Sequence, residues 1–271
     1  MQDGAAGCVR QRYPWGYKYL SGAVPTGPVG SAHGAHLRTA GHRGYKTPTA
    51  AVAPSDLLLS TPNISRMSDI AEDKRALRVQ AMERRRFAHA ADANGEGARQ
   101  VRDHALAALP IAKGAIVGGY WPMNTEMDVR LLLSALHERG HPVGLPHVRR
   151  GQAMTYHRWH PKDALVRGAF GIAMPDHHTT EVKPDVLLMP VLAFDLVGNR
   201  LGYGGGYNDR TIVALRALKP LLCVGIAYAA QEFDYVPHDA LDQRLDWMVT
   251  EKEARRAEKR RMPWLRRFFG S

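Results

Sequence analysis

Cysteine is nearly absent: Cys8 and Cys223 are the only two in 271 residues, too few for a disulfide framework or a thiolate metal site. Long apolar runs are missing as well. Stretches such as Val186 to Val191 and Leu221 to Ala227 fall far short of the roughly 20 apolar residues that cross a bilayer, so no transmembrane segment is expected. Net charge is missing from the middle of the chain. The whole carries +11, which invites a nucleic-acid partner. Yet residues 1–66 hold seven Lys/Arg against two acids (+5), and residues 252–271 hold eight against two (+6). The segment between them is neutral, so composition excludes a polyanion-tracking surface there.

What is present is a hydrophobic content of 45%, ordinary for a chain with a real core. Residues 1–66 are rich in Gly, Ala, Pro, Ser and Thr without sustained periodicity, a composition that predicts a disordered leader. Its Arg- and Ser-bearing, acid-poor character suits a transit peptide, but an amphipathic helix is lacking. Met67-Ser68-Asp69 runs directly into the first helical pattern and makes a natural start, so residues 1–66 are expected to be either a non-functional leader or a stretch outside the natural protein. Residues 67–251 form the expected domain and residues 252–271 a basic extension.

Within that domain, Ile70, Leu77, Met82 and Phe87 among charged residues predict a long amphipathic helix from Ser68. Helices are also expected over residues 98–109, 128–139 (closed by Gly140) and 209–218. Strands are expected over 115–121, 142–146, 154–159, 186–191, 221–228 and 247–250. Strands alternating with helices imply a three-layer α/β sandwich, a mainly parallel Rossmann-like sheet flanked by helices, with ligands at the carboxyl ends of its strands.

The strongest chemical signal is Arg200-Leu201-Gly202-Tyr203-Gly204-Gly205-Gly206-Tyr207-Asn208-Asp209-Arg210, after a strand and opening a helix. Four glycines in five positions bare the backbone N–H groups to an anion, and the helix aims its positive end at the same place. Neither a Walker ending nor Gly-x-Gly-x-x-Gly is matched, and a flexible surface turn is the plain alternative. Asp209 beside such a loop would repel phosphate unless it held a cation, for which magnesium is the natural choice. Lys74 and Arg78, four apart, share one helix face and could clamp phosphates. The neighbouring Arg84, Arg85 and Arg86 show that a solvated basic face would look the same. In Tyr120-Trp121-Pro122-Met123-Asn124-Thr125-Glu126-Met127-Asp128, Glu126 could accept from an amino-bearing heterocycle packed on Tyr120 or Trp121; otherwise Thr125 or Asp128 merely caps a helix. Asp239, Asp242 and Asp246 precede the last strand, where one of them could complete a magnesium site. His157, His160, His177 and His178 read as solvated rather than as a zinc site.

Taken in chain order, these elements resemble the 5-formyltetrahydrofolate cyclo-ligase family, also called methenyltetrahydrofolate synthetase, over roughly Asp69 to Glu251. The resemblance rests on Met189-Pro190-Val191-Leu192-Ala193-Phe194-Asp195, Gly198 and Arg200 to Arg210. These look like the family's Pro-bearing strand end followed by Arg-Leu-Gly-x-Gly-x-Gly-Tyr-Tyr-Asp. Lys74 to Arg78, the Glu126 segment, Gly225 with Tyr228 and Gln231, and Leu245-Asp246-x-Met248-Val249-Thr250-Glu251 support it.

The resemblance implies ATP- and magnesium-dependent closure of 5-formyltetrahydrofolate to 5,10-methenyltetrahydrofolate, with release of ADP and phosphate through phosphorylation of the formyl oxygen. It further implies a cytoplasmic enzyme with no obligatory protein partner. Carried over by position, Lys74, Arg78, Arg200, Gly202, Gly204, Gly205, Gly206, Tyr207 and Asn208 would bind ATP. Tyr120, Glu126, Tyr203, Gly204, Gly205, Gly206 and Tyr207 would bind the folate. Arg200, Tyr203 and Tyr207 would act at the reacting groups, and Asp209 and Asp242 would hold magnesium. Two positions depart from the pattern: Asn208 stands where a second Tyr is usual, and Leu241 where a His precedes the late acid, which leaves Asp239 as a rival to Asp242.

Two other readings compete. A sugar-phosphate or coenzyme-A-handling enzyme could use the same scaffold. Alternatively the basic tail, with Trp264, Leu265, Phe268 and Phe269, could be the functional part, a helix lying on an anionic membrane or nucleic acid, although Pro263 interrupts it.

Overall fold

A computed structural model describes residues 64–176 and 178–258. The expected leader up to residue 63 and most of the tail therefore lie outside the described residues, whereas residues 64–66 of that leader belong to the first helix. The chain runs α1 (Ile64–Ala91), α2 (Glu96–Ala108), β1 (Val117–Gly118), α3 (Arg130–Glu138), β2 (Val143–His147), β3 (Thr155–Trp159), β4 (Val166–Arg167) and β5 (Ala173–Met174). It continues through β6 (Glu181–Val182), β7 (Val186–Pro190), β8 (Ala193–Phe194), β9 (Arg200–Leu201), α4 (Tyr207–Arg216), β10 (Leu222–Ile226), β11 (Trp247–Val249) and β12 (Ala254–Arg256).

Eight strands form one sheet in the order β12-β11-β10-β7-β1-β2-β3-β6. The five central strands, β11 to β2, pair in parallel. β3, β6 and β12 add antiparallel margins. Alternation along the buried strands separates two cores. Val186, Leu188, Val224 and Ile226 face α2 and α3, meeting Val101, Ala105, Leu132 and Leu136. Leu187, Met189, Cys223 and Met248 point the other way, to Ile212 and Leu215 of α4. The expected three-layer arrangement is what these two cores build.

Several expectations shift. β1 spans two residues rather than the seven of the apolar run, because the chain turns into a loop at Gly119. α3 starts at Arg130, where the Asp128 carboxylate accepts the Arg130 backbone N–H at 2.9 Å. Helix α1 begins before Met67, and Phe87 is 59% exposed, so the apolar face expected from Phe87 is not the one that docks. Instead Leu77, Ala81 and Met82 pack against Leu192, Leu201 and Val236. Residues 254–256 of the basic extension form edge strand β12, paired to β11, and not the start of a helix.

The chain passes from β1 to β2 on one side and returns to β7 on the other. A ligand crevice opens at such a reversal, outside the carboxyl ends of the diverging strands. The loops following β1, β7 and β10 meet there, and α1 lies across them.

Candidate functional site

The glycine loop is held from beneath by a buried carboxylate. Asp195, 2% exposed, accepts from the backbone N–H groups of Asn199 (2.9 Å) and Val236 (3.1 Å) and from Asn199 Nδ2 (2.8 Å), which fixes the turn between β8 and β9. Gly198 in that turn has φ 83°, and a Cβ there would stand 2.5 Å from the Leu245 carbonyl oxygen. Only glycine fits so close a backbone approach. Gln231, fully buried, donates to the carbonyls of Val191 and Leu192 at 2.7 and 2.9 Å and so ties down the other side of the strand end.

From β9 the chain passes through Gly204 (φ 95°) and Gly206 (φ 66°) into α4. No side chain caps that helix, so its leading N–H groups face the loop. Arg200 and Asp209 close the loop from its two ends: Arg200 Nη2 donates to Asp209 Oδ1 at 2.8 Å, and Nη1 donates to the Gln243 carbonyl. The Gln243 N–H reaches the same Asp209 oxygen at 3.0 Å. Both bonds to Asp209 fall on Oδ1, which leaves Oδ2 for a cation. Arg210 Nη2 donates to the Gly205 carbonyl at 2.8 Å. Asn208 is half-exposed in the first turn of α4.

One face of α1 covers this loop. Lys74 Nζ lies 2.6 Å from Asp239 Oδ2 and 2.5 Å from Asp242 Oδ2. Burial pulls the lysine pKa down, but the bonds and charges of the two aspartates outweigh it and leave the ammonium above its ordinary value. Arg78 Nε donates to the Gly202 carbonyl at 2.9 Å. Two turns on comes Arg85, which sequence reasoning placed on a solvated face. It is 5% exposed, donates through Nε to Thr125 Oγ1 at 3.0 Å, lies 3.9 Å from Glu126 Oε1 and sits over the Tyr203 ring at 5.4 Å. Its seven-residue spacing from Arg78 was the signal that could have found it.

Glu126 is 7% exposed. Its loop turns at Asn124 (φ 52°), letting Glu126 Oε2 accept the Met123 N–H at 2.9 Å. Burial pushes its carboxyl above the ordinary range, partly countered by the Met123 N–H, the Arg85 charge and the Tyr203 hydroxyl. Burial likewise pushes Tyr203 up to about 12, with the nearby Glu126 charge adding to the effect. Tyr120 belongs beneath the loop: it is 5% exposed, and its hydroxyl donates to the Met127 carbonyl at 2.7 Å. It supports the Glu126 segment from the core rather than presenting a ring to a ligand. Tyr207 stands at the far end of the glycine loop, its hydroxyl accepting the Gly151 N–H at 3.4 Å.

The structure thus gathers Lys74, Arg78, Arg200, the glycines, Tyr203, Glu126 and Asp209 around one crevice. Asp242 joins them through Lys74, not through Asp209. Among the described residues no group of three or more His, Cys, Asp or Glu is assembled to hold a metal.

The sequence profile of the 5-formyltetrahydrofolate cyclo-ligase family matches residues 70–251. The 5-formyltetrahydrofolate cyclo-ligase of Escherichia coli is 30% identical over 172 residues, 61% of this chain and 94% of the relative. That of Haemophilus influenzae is 30% identical over 150 residues, 53% and 80% respectively. The NMR structure of Aquifex aeolicus 5,10-methenyltetrahydrofolate synthetase superposes with a TM-score of 0.53 at 32% identity, covering 71% of this chain and 94% of that one. The Mycoplasma pneumoniae synthetase, at 22% identity and a TM-score of 0.51, covering 66% and 99%, shares the fold. No described helix is long and apolar enough to cross a membrane. With its mainly parallel sheet, its glycine loop and a match spanning most of the domain, the chain belongs to the 5-formyltetrahydrofolate cyclo-ligase family, a family of ligases.

Proposed function

We propose that the protein closes 5-formyltetrahydrofolate to 5,10-methenyltetrahydrofolate at the expense of ATP, with magnesium as the metal. The observation that carries this reading is the placement of Arg78 on the Gly202 carbonyl and of Arg200 on Asp209 at a bare-backbone loop, with Lys74 one turn before Arg78 on α1, beside the buried Glu126–Tyr203 pair. One half suits a polyphosphate, the other a heterocycle rich in N–H groups.

The formyl oxygen of an amide leaves poorly. In the proposed sequence it attacks the γ-phosphorus of ATP and ADP departs. N10 then attacks the activated carbon, loses its proton, and phosphate leaves with the oxygen. No protein nucleophile is required; the chain positions two ligands and neutralises charge. Backbone N–H groups of Gly202 to Gly206 and the Lys74 and Arg78 cations hold the phosphates. Arg200 fixes Asp209, and Asp209 with Asp242 would hold magnesium, whose charge would offset that building between the transferring oxygens. Glu126 accepts from the pterin while Tyr203 orders the loop between the two ligands, and Tyr207 and Asn208 border the phosphates. Asp239, equally close to Lys74, shares with Asp242 the role of releasing that lysine to the nucleotide.

Mixing the purified protein with ATP, magnesium and 5-formyltetrahydrofolate should generate the methenyl chromophore, and leaving out any one should abolish it. A folate-independent enzyme of the same fold would instead gain no heat stability from 5-formyltetrahydrofolate. The site, its domain over residues 67–251 and the cytoplasmic setting stand together in this reading. The basic tail is at most a secondary contact for anionic surfaces.

A further inference from the structure

The two tyrosines of the glycine loop face different surroundings. Tyr203 meets Glu126 and Arg85. Tyr207, at the other end, meets an aromatic and cationic cluster that the proposed chemistry does not use. Its ring stands edge-on to Phe170 at 6.0 Å. The Arg150 guanidinium lies 5.5 Å from the Phe170 ring, and Arg210 lies 4.9 Å over the Tyr207 ring. Arg167 completes the group: its Nε would be 3.6 Å from a Cβ on Gly171, the residue following Phe170.

Phe170 is held in the left-handed region, φ 60°, a backbone state costing of order 1 kcal/mol or more for a bulky residue. Its ring is half-buried, whereas Arg150 and Arg167 are exposed. Among the described residues none of Arg150, Arg167 and Arg210 forms an ion pair with a carboxylate, and Arg210 Nε is buried without a hydrogen-bond partner. A ligand that brings negative charge is attracted by cations that no carboxylate of the described residues neutralises.

We infer that Arg150 and Arg167, with Phe170 as an apolar platform, form a subsite for the carboxylates at the glutamate end of the folate. The inference rests on the proposed function. A folate is an elongated molecule with a neutral heterocycle at one end and an aryl-linked glutamate, a dianion, at the other. With the heterocycle at Glu126, the molecule crosses the glycine loop towards Tyr207, so its aryl ring comes to Phe170 and its carboxylates to guanidinium groups that fit them in bidentate fashion.

The test compares the parent with the Arg150→Ala/Arg167→Ala double variant, neither residue being part of the phosphate or pterin machinery. Steady-state kinetics use 5-formyltetrahydrofolate and its analogue lacking the glutamate, 5-formyltetrahydropteroate. The double variant should raise the folate KM roughly tenfold or more and leave kcat, the ATP KM and the pteroate KM within about twofold. Arg150→Lys/Arg167→Lys should recover most of the loss. Added potassium chloride should raise the parent's folate KM and not the variant's. An unchanged folate KM in the double variant, or an equal loss on the pteroate, overturns the subsite. A parent that neither binds nor converts either compound overturns the proposed function itself.

Discussion

Two acid-and-cation clusters flank the crevice, and they are built differently. At the glycine loop, Asp209 is gripped by Arg200, whose side chain is 5% exposed, and by the Gln243 N–H. In the loop between Val236 and Asp246, Asp239 and Asp242 surround Lys74 with side chains 41% and 24% exposed. The first cluster is fixed by buried and backbone partners before any ligand arrives. In the second, Lys74 is 12% exposed and the acids accept backbone N–H groups only from their own short loop; its more exposed arm, to Asp239, is worth at most about 1 kcal/mol. Preorganised charge belongs where a transition state must be met without reorganisation, and exchangeable charge where a ligand must enter.

Breaking the first cluster should therefore cost most. Asp209→Asn keeps the shape and removes the charge, and kcat/KM should fall on the order of a thousandfold in the chromophore assay. Next comes Glu126→Gln, with a folate KM raised about tenfold to a hundredfold and the ATP KM unchanged. Its stability carries a sign as well. Burial holds the Glu126 pKa above its ordinary value, so the parent is favoured while that group is protonated and loses the advantage as pH rises through the raised value. The melting temperature of the variant relative to the parent should climb as pH is taken from 4 to 7.

Gly198 joins the two regions. Gly198→Ala would drive a Cβ into the Leu245 carbonyl at an unfavourable φ and should cost about 2 kcal/mol in denaturant titration. Smallest is Asp239→Asn. The bond from Lys74 holds the Asp239 carboxyl below its ordinary value, so its contribution exists above the ordinary carboxylate range and vanishes as pH falls through the depressed value. The stability difference should stay under about 1 kcal/mol at pH 7 and disappear in acid. An effect on stability as large as that of Gly198→Ala would erase the distinction between the two clusters.

Much of this was legible in the sequence, for identifiable reasons. Buried parallel strands need continuous apolar runs, and β7 and β10 carry them, so both appeared nearly at their true limits. The glycine loop was legible because no regular element tolerates that composition. Helical phase was harder to read. Arg84, Arg85 and Arg86 are indistinguishable by type, yet Arg84 reaches the Glu232 carbonyl, Arg85 enters the site and Arg86 lies over exposed Phe87. Only the packing of Leu77, Ala81 and Met82 decides which arginine faces inward. Thr125 looked like a helix cap but serves Arg85, and Tyr120 looked like a ligand platform but is core, because an apolar strand end reads the same either way. Edge strand β12 hid in a charged segment, as exposed edges do when they carry lysine and arginine.

Helix α1 is separated by 168 positions from the aspartate that its lysine grips. A nascent chain leaving the ribosome carries Lys74 and Arg78 long before it carries Asp239 and Asp242 or the strands that α1 covers. A chain truncated before residue 242 would therefore lack the contact that joins Lys74 to Asp242.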